Sequence, residues 1–196
     1  MIPNVIDIYH GNIINDFTAL AEAGIQGVIH KCTQGAGYAD PMYAARRKLA
    51  TNAGLLWGAY SFNTGEAVDA QVRQLLSHAE PDATTLVALD FEDNPHSQMS
   101  IDQARAWLTQ IEASLGRKAV LYSGNRVKDL LDSRIDTYLG SHRLWLAQYG
   151  PVARVQVSWS NYWLWQYSES GQLLGTDGAV DFNFYKGANL ASEWAL

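Results

Sequence analysis

Short apolar runs alternate along this chain with longer stretches whose apolar residues recur every three or four positions. Residues 5–8 read as a strand, and residues 14–23 carry a helical period that Gly24 terminates. A second strand over 27–31 leads through a loop, residues 33–41, into a helix over 42–53 that stops at Gly54. Residues 55–60 form a third strand. The helix over 67–79 sets Val68, Val72, Leu75 and Leu76 at helical spacing. Residues 86–89 are apolar throughout and too short for a helical period, so they read as a strand buried on both faces. Ser100 to Gln103 has the form of a capping box and opens a helix to Leu115, followed by a strand over 119–122 and a short helix over 126–131.

Beyond that point the rhythm changes. Strand starts near 4, 27, 55, 85 and 119 leave room for a strand, a crossover helix and two loops. Three further β-like runs, at 143–146, 162–167 and 180–184, follow too closely for full helices. Eight strands with about five helices predict an α/β fold, a TIM-like barrel of the parallel type whose last helices are reduced or missing. A complete eight-helix barrel usually needs about 250 residues, and this chain has 196. The alternative is an open α/β sheet with a small β subdomain. The absence of internal repeats and Pro/Ser-rich linkers favours one domain over residues 1–196.

Charge enters abruptly at Asp90-Phe91-Glu92-Asp93. Side chains alternate along a strand, so Asp90 and Glu92 share a face, at the strand end where α/β folds place their ligands. A solvated acidic turn before Asn94-Pro95 is the plainer alternative. Asp7 follows the first strand and Asp181 lies on the last, so a closed barrel would bring four carboxylates to one mouth, with Asp7 and Asp181 side by side. Such a cluster either binds a hard cation or splits into a proton-holding acid and an ionised partner. The first option is the weaker: residues 90–94 lack the Gly and distal Glu of a calcium loop, and the five histidines show no HExxH spacing.

Composition narrows the picture further. A 47% apolar content supplies a core, and a net charge of -6 with no basic run argues against nucleic acid. Cys32, the single cysteine, excludes an internal disulfide and reads as a buried thiol. The chain opens without a basic segment before an apolar one, so it is expected to be made without a signal peptide, cytoplasmic as written, although a removed leader would leave the same start. No stretch suits a membrane span. Seven tryptophans and ten tyrosines, many of them late, either fill the core or stack on sugar rings. Gly35-Ala36-Gly37 lacks the third glycine of a dinucleotide loop, and no cofactor, metal or oligomer is called for.

These residues resemble the family 25 glycoside hydrolases, the Chalaropsis-type lysozymes, along the whole chain. Ile6-Asp7-Ile8 with His10 is similar to the family's D-[VI]-S-H opening; Lys31-Cys32-Thr33-Gln34-Gly35, with Tyr38 and Asp40-Pro41, to K-A-T-E-G, Y and D-P; Gly58 to Phe62 to G-x-Y-H-F; Leu89-Asp90-Phe91-Glu92 to the catalytic L-D-x-E. Residues 145–149, 165–167 and 180–183 resemble its late strands and its closing V-D-x-N. The resemblance implies a barrel of eight strands and five helices that cleaves the β-1,4 bond after N-acetylmuramic acid in peptidoglycan glycan strands. It makes Glu92 the general acid and Asp90 its partner, with Asp7 and Asp181 lining the same pocket and Tyr60 near the scissile sugar. Phe62, Gln34, Tyr122, Trp145, Tyr149 and Gln166 fall at positions implied to contact substrate. Delivery to the wall would follow a phage endolysin route or another.

Three residues depart from the family pattern: Tyr9 for Ser, Gln34 for Glu and Ser61 for His. All three are expected near the cleft, where they would alter subsites. Like-charge crowding should raise at least one carboxyl, Glu92 foremost, and favour mildly acidic pH. A non-catalytic glycan-binding barrel is the competing class, though binding alone has no need of four crowded carboxylates. Same-face strand residues two apart have α-carbons about 6.5 to 7 Å apart, a spacing that does not separate retaining from inverting geometry.

Overall fold

The computed structural model describes residues 1–196. Eight strands close into a barrel: β1 (Val5–Ile8), β3 (Gly27–Gln34), β5 (Leu56–Phe62), β6 (Leu86–Asp90), β7 (Val120–Ser123), β8 (Leu144–Ala147), β9 (Leu164–Gly171) and β11 (Val180–Phe184). The first seven pair in parallel from β1 through β3 to β9, and β11 joins β9 to β1 antiparallel to both. Two short strands, β2 (Ile13–Ile14) and β10 (Thr176–Asp177), pair as a separate ribbon, and β4 (Tyr38–Ala39) folds back on the end of β3. Six helices accompany the barrel: α1 (Phe17–Glu22), α2 (Tyr43–Asn52), α3 (Val68–Ala79), α4 (Ile101–Leu115), α5 (Asn125–Leu131) and α6 (Leu190–Glu193). None is long and apolar enough to cross a membrane.

Two expectations change. The barrel is mixed, because only eight residues separate Gly171 from Val180, enough for a hairpin and too few for the crossover that a parallel partner requires. The first helix starts at Phe17, where Asp16 accepts hydrogen bonds from the Thr18 and Ala19 backbone, and Ile13 and Ile14 belong to the ribbon. The capping box at Ser100 forms as expected, with Gly116 in the left-handed conformation closing α4.

Strand alternation sorts the core into two layers. Ile6, Val28, Trp57, Val87, Leu89, Leu121 and Leu146 face outward under the helices, with Cys32 among them, its thiol pushed up to about 12 by burial. Val5, Ile29, Leu86, Ala88, Val120, Trp145 and Leu164 fill the barrel interior, joined by Leu190 and Trp194 from the C-terminal segment. Trp194 is buried with its indole N–H donated to the Trp57 carbonyl at 2.8 Å. It reaches Gly27 so closely that a β-carbon there would lie 2.7 Å from the ring. An indole has no flexible end to yield, so Gly27→Ala should cost about 1 to 3 kcal/mol as overpacking. A lower urea midpoint with unchanged m-value is the expected readout, and an unshifted midpoint would refute the fit.

Candidate active site

The mouth lies where the parallel strands end. Asp7 and Tyr60 face it from β1 and β5, Asp90 is the last residue of β6, and Tyr122, Trp145 and Gln166 come from the next three strands. Asp181 sits near the start of its strand, yet β11 runs the other way, so Asp181 pairs in register with Asp7 at the same mouth. Glu92 has left the strand. Its backbone is fixed by the Asn63 amide, which donates to the Glu92 carbonyl at 3.0 Å, while Asn94 donates to the Asn63 carbonyl at 2.9 Å. Asp7, Asp90, Glu92 and Asp181 thus line one cavity of about 140 Å³ with Tyr60, Tyr122, Trp145, Tyr149 and Gln166. Glu92, Tyr122 and Tyr149 also border an adjoining groove of about 560 Å³, together with Asp93, Asn125, Arg126 and Gln148.

A chain of hydrogen bonds holds the cavity floor. Tyr122 donates to Gln166 Oε1 at 2.9 Å, and Gln166 Nε2 donates to both Asp7 oxygens at 2.9 and 3.1 Å. Asn183 Nδ2 donates to Asp7 Oδ1 at 2.7 Å and its own oxygen receives the Trp145 indole N–H at 2.6 Å. Asp90 differs: its Oδ1 is buried with no donor from the protein.

Burial, ahead of like charge, is the first cause of every shift here. Asp7 is held well above the usual carboxylate range by burial, then by the charge of Asp181, against the pull of Asn183 and Gln166. Asp181, beside it, is also raised, by burial first. Asp90 is pushed well up by burial, then by Glu92 and Asp7, with Lys31 opposing. Glu92 is raised by burial, then by Asp181 and Asp93. Glu92 is raised as expected, and so are Asp7, Asp90 and Asp181, but burial precedes like-charge crowding as the cause in each. Tyr60 and Tyr122 are held far above the ordinary phenol value by burial and then by Asp90, and remain neutral hydrogen-bond donors.

A carboxyl raised in the folded state stabilises the fold below the ordinary aspartate value near 3.9, and that contribution is lost as pH rises through the folded value. Asp7→Asn keeps an oxygen for Gln166 and Asn183 and removes a titrating carboxyl from the buried floor. It should therefore raise stability at pH 7 by about 1 to 2 kcal/mol, with the gain fading toward pH 3.5. Denaturation at the two pH values checks this, and an equal or larger gain at the acidic one would contradict it.

Not every expected residue reaches the mouth as a contact. Trp145 is only 1% exposed and forms the floor, whereas Tyr149, 51% exposed, stands at the rim. Gln34 and Phe62 line neither cavity; Gln34 accepts from Lys31 Nζ at 2.7 Å, and the same ammonium lies 5.0 Å from the centre of the Phe62 ring. Of the three departures, Ser61 is fully buried on the outer face against Thr33, at 3.0 Å, away from the cleft. Tyr9 is exposed on the loop after β1 and borders neither cavity. The sequence reading missed Lys31, Asn63, Asn94 and Asn183. For Asn183 the signal was present, since it shares a strand face with Asp181.

Comparison with known proteins agrees with this geometry. The chain is similar to lysozyme M1 of Streptomyces globisporus, 28% identical over 93% of this chain and 67% of that protein. It is also similar to the uncharacterised protein YegX of Escherichia coli, 30% identical over 83% of this chain but only 60% of that one, so it spans less than two thirds of that relative's length. The fold superposes on a bacterial lysozyme from Streptomyces coelicolor with a TM-score of 0.84, 28% identity and coverage of 97% and 94% of the two chains. The model of the glycosyl hydrolases family 25 matches residues 6–176, and the chain belongs to that family.

Proposed function

We propose that this chain is a peptidoglycan hydrolase, a muramidase acting as one catalytic barrel and a monomer, that cleaves the β-1,4 bond between N-acetylmuramic acid and N-acetylglucosamine. The observation that carries the reading is the meeting of Asp7, Asp90, Glu92 and Asp181 beside a groove of about 560 Å³ rimmed by Tyr149. Glu92 borders both spaces and has a raised affinity for its proton, which suits a general acid facing a glycosidic oxygen. Asp90 lines the same cavity, and its buried Oδ1 has no protein donor, so its carboxyl is not committed to a structural hydrogen bond there and is available for a substrate N–H.

In the retaining route we favour, Glu92 gives its proton to the leaving oxygen as the bond to the anomeric carbon breaks. The carbonyl oxygen of the 2-acetamido group attacks that carbon from the other face and forms a cyclic oxazolinium ion. Asp90, ionised, accepts the amide N–H and stabilises the positive charge. Water then attacks the anomeric carbon and yields its proton to Glu92, which restores the acid. Tyr60 donates its phenol hydrogen toward the sugar, while Asp7 and Asp181 line the floor that Gln166 and Asn183 complete. The enzyme would act on the wall itself, whatever route delivers it.

Digestion of purified peptidoglycan followed by borohydride reduction tests the reading. New reducing ends should appear as muramicitol; glucosaminitol, or no new ends, would overturn it.

A further inference from the structure

We propose that Arg126 is a specificity-determining residue: its guanidinium binds a carboxylate of the glycan strand on the leaving side of the scissile bond, carried by muramic acid itself or by the peptide attached to it. The proposal rests on the muramidase reading given above. Glu92 borders both the cavity and the groove, whereas Asp7, Asp90 and Asp181 border the cavity alone. A general acid stands at the oxygen that departs, so the groove beyond Glu92 receives the departing half of the strand. That half begins with N-acetylglucosamine and continues with N-acetylmuramic acid, because the two sugars alternate.

The fold fixes Arg126 at this place. Ser123, the last residue of β7, donates its buried hydroxyl to the Phe91 carbonyl at 2.6 Å, and the Phe91 N–H donates to the Tyr122 carbonyl at 2.9 Å, so the segment that carries Glu92 is tied to the end of β7. The chain then passes through Gly124, where a β-carbon would collide with the Ala147 carbonyl, and enters α5, whose second residue is Arg126. The guanidinium lies 5.8 Å from the centre of the fully buried Phe91 ring.

Held in this way, the guanidinium keeps most of its donors free. Arg46 makes three hydrogen bonds and Arg47 four, whereas Arg126 makes one, from Nη2 to the Met99 carbonyl at 3.2 Å. Its Nε is buried without a partner, and its one ion pair, to Asp93, is 3.4 Å long, with the Asp93 side chain 65% exposed. A long, exposed pair of that kind contributes little and gives way to a better acceptor. Arg126 is also the only cation among the residues that line the groove, where Glu92 and Asp93 are the other charged groups. The acids of the mouth repel a strand that bears carboxylates, and an arginine with free donors offsets that repulsion. An uncharged chitin-like strand offers it nothing to bind.

Calorimetric binding to Glu92→Gln protein, which leaves the strand uncut, tests this with three soluble ligands: a tetrasaccharide of alternating N-acetylglucosamine and N-acetylmuramic acid, the same tetrasaccharide carrying its peptides, and a neutral N-acetylglucosamine tetramer. Adding Arg126→Gln should weaken at least one acidic ligand by about tenfold and hardly change the neutral tetramer. Loss on the peptide-free ligand assigns the muramic carboxylate; loss confined to the peptide-bearing one, in which that carboxyl is an amide, assigns a peptide carboxylate. Asp93→Asn, which removes the competing acceptor, should tighten the same acidic ligand by about threefold. Equal weakening of all three ligands, the sign of a structural role, or unchanged binding of both acidic ones overturns the proposal. Should Arg126→Gln not fold, Asp93→Asn decides: tightening of an acidic ligand alone supports the proposal, and no tightening refutes it. Should wild type release no muramicitol ends while the acidic ligands still depend on Arg126, the muramidase reading falls and the carboxylate site stands.

Discussion

Glu92→Gln should reduce the clearing of purified peptidoglycan by about 10² to 10⁴-fold, the range a lost general acid produces, with little change in substrate binding. Glutamine keeps the length and planarity of glutamate but has no proton acidic enough to give to a departing sugar oxygen. The backbone around it should not move, because Asn63, itself gripped by Asn94, holds the Glu92 carbonyl and never touches the carboxyl. Loss of a raised carboxyl also relieves the floor of one charge, so the variant should be no less stable than wild type at neutral pH. A turbidity assay paired with binding of soluble glycan fragments separates these effects. Residual activity within tenfold of wild type would remove Glu92 from the acid's role, and an equal loss in binding would make it a contact instead.

Much of the barrel was legible because its signals are local. All eight barrel strands begin within two residues of the expected place, since each is a short apolar run bounded by Gly or by polar residues. The direction of the last strand was hidden. Ser168-Glu169-Ser170 read as loop, which made β9 end at Tyr167, whereas the strand continues to Gly171 and leaves only a hairpin before Val180. Polar residues are tolerated there because Glu169 and Ser170 are exposed beyond the packed layers.

The four acids were legible for a similar reason, as polar residues where apolar strands stop. Their depth was not, because burial belongs to the closed barrel and no strand shows it alone. That is why the sequence pointed to crowding where burial is the first cause, and why it did not show that Trp145 lies in the cavity floor. The contact of Lys31 with Gln34 was hidden, because β3 carries one extra residue relative to β5 between Lys31 and Thr33, and nothing in the residues 31–34 announces that two side chains three apart will meet.

The depth of Asp90 also bears on how the second carboxyl works. Asp90 is 7% exposed, with one oxygen lacking a protein donor, and burial disfavours its anion. A nucleophile that must attack a sugar carbon would benefit from easy ionisation, whereas a group that receives an amide N–H gains its missing donor at the moment substrate binds. The 2-acetamido group of muramic acid offers both that N–H and an internal oxygen nucleophile. Peptidoglycan whose muramic residues lack the N-acetyl group should accordingly bind, through the groove contacts it retains, but be cleaved about 10³-fold more slowly or worse, the scale of losing a charge-stabilising contact together with the nucleophile. Asp90→Asn should lower the rate on ordinary peptidoglycan by about 10² to 10³-fold and add almost nothing to the loss on the deacetylated polymer, since both changes remove the same contact. Mass spectrometry of wild type quenched during turnover should show no sugar ester. Full multiplication of the two losses, or a glycosyl ester trapped on Asp90, would replace the internal nucleophile with a covalent enzyme intermediate.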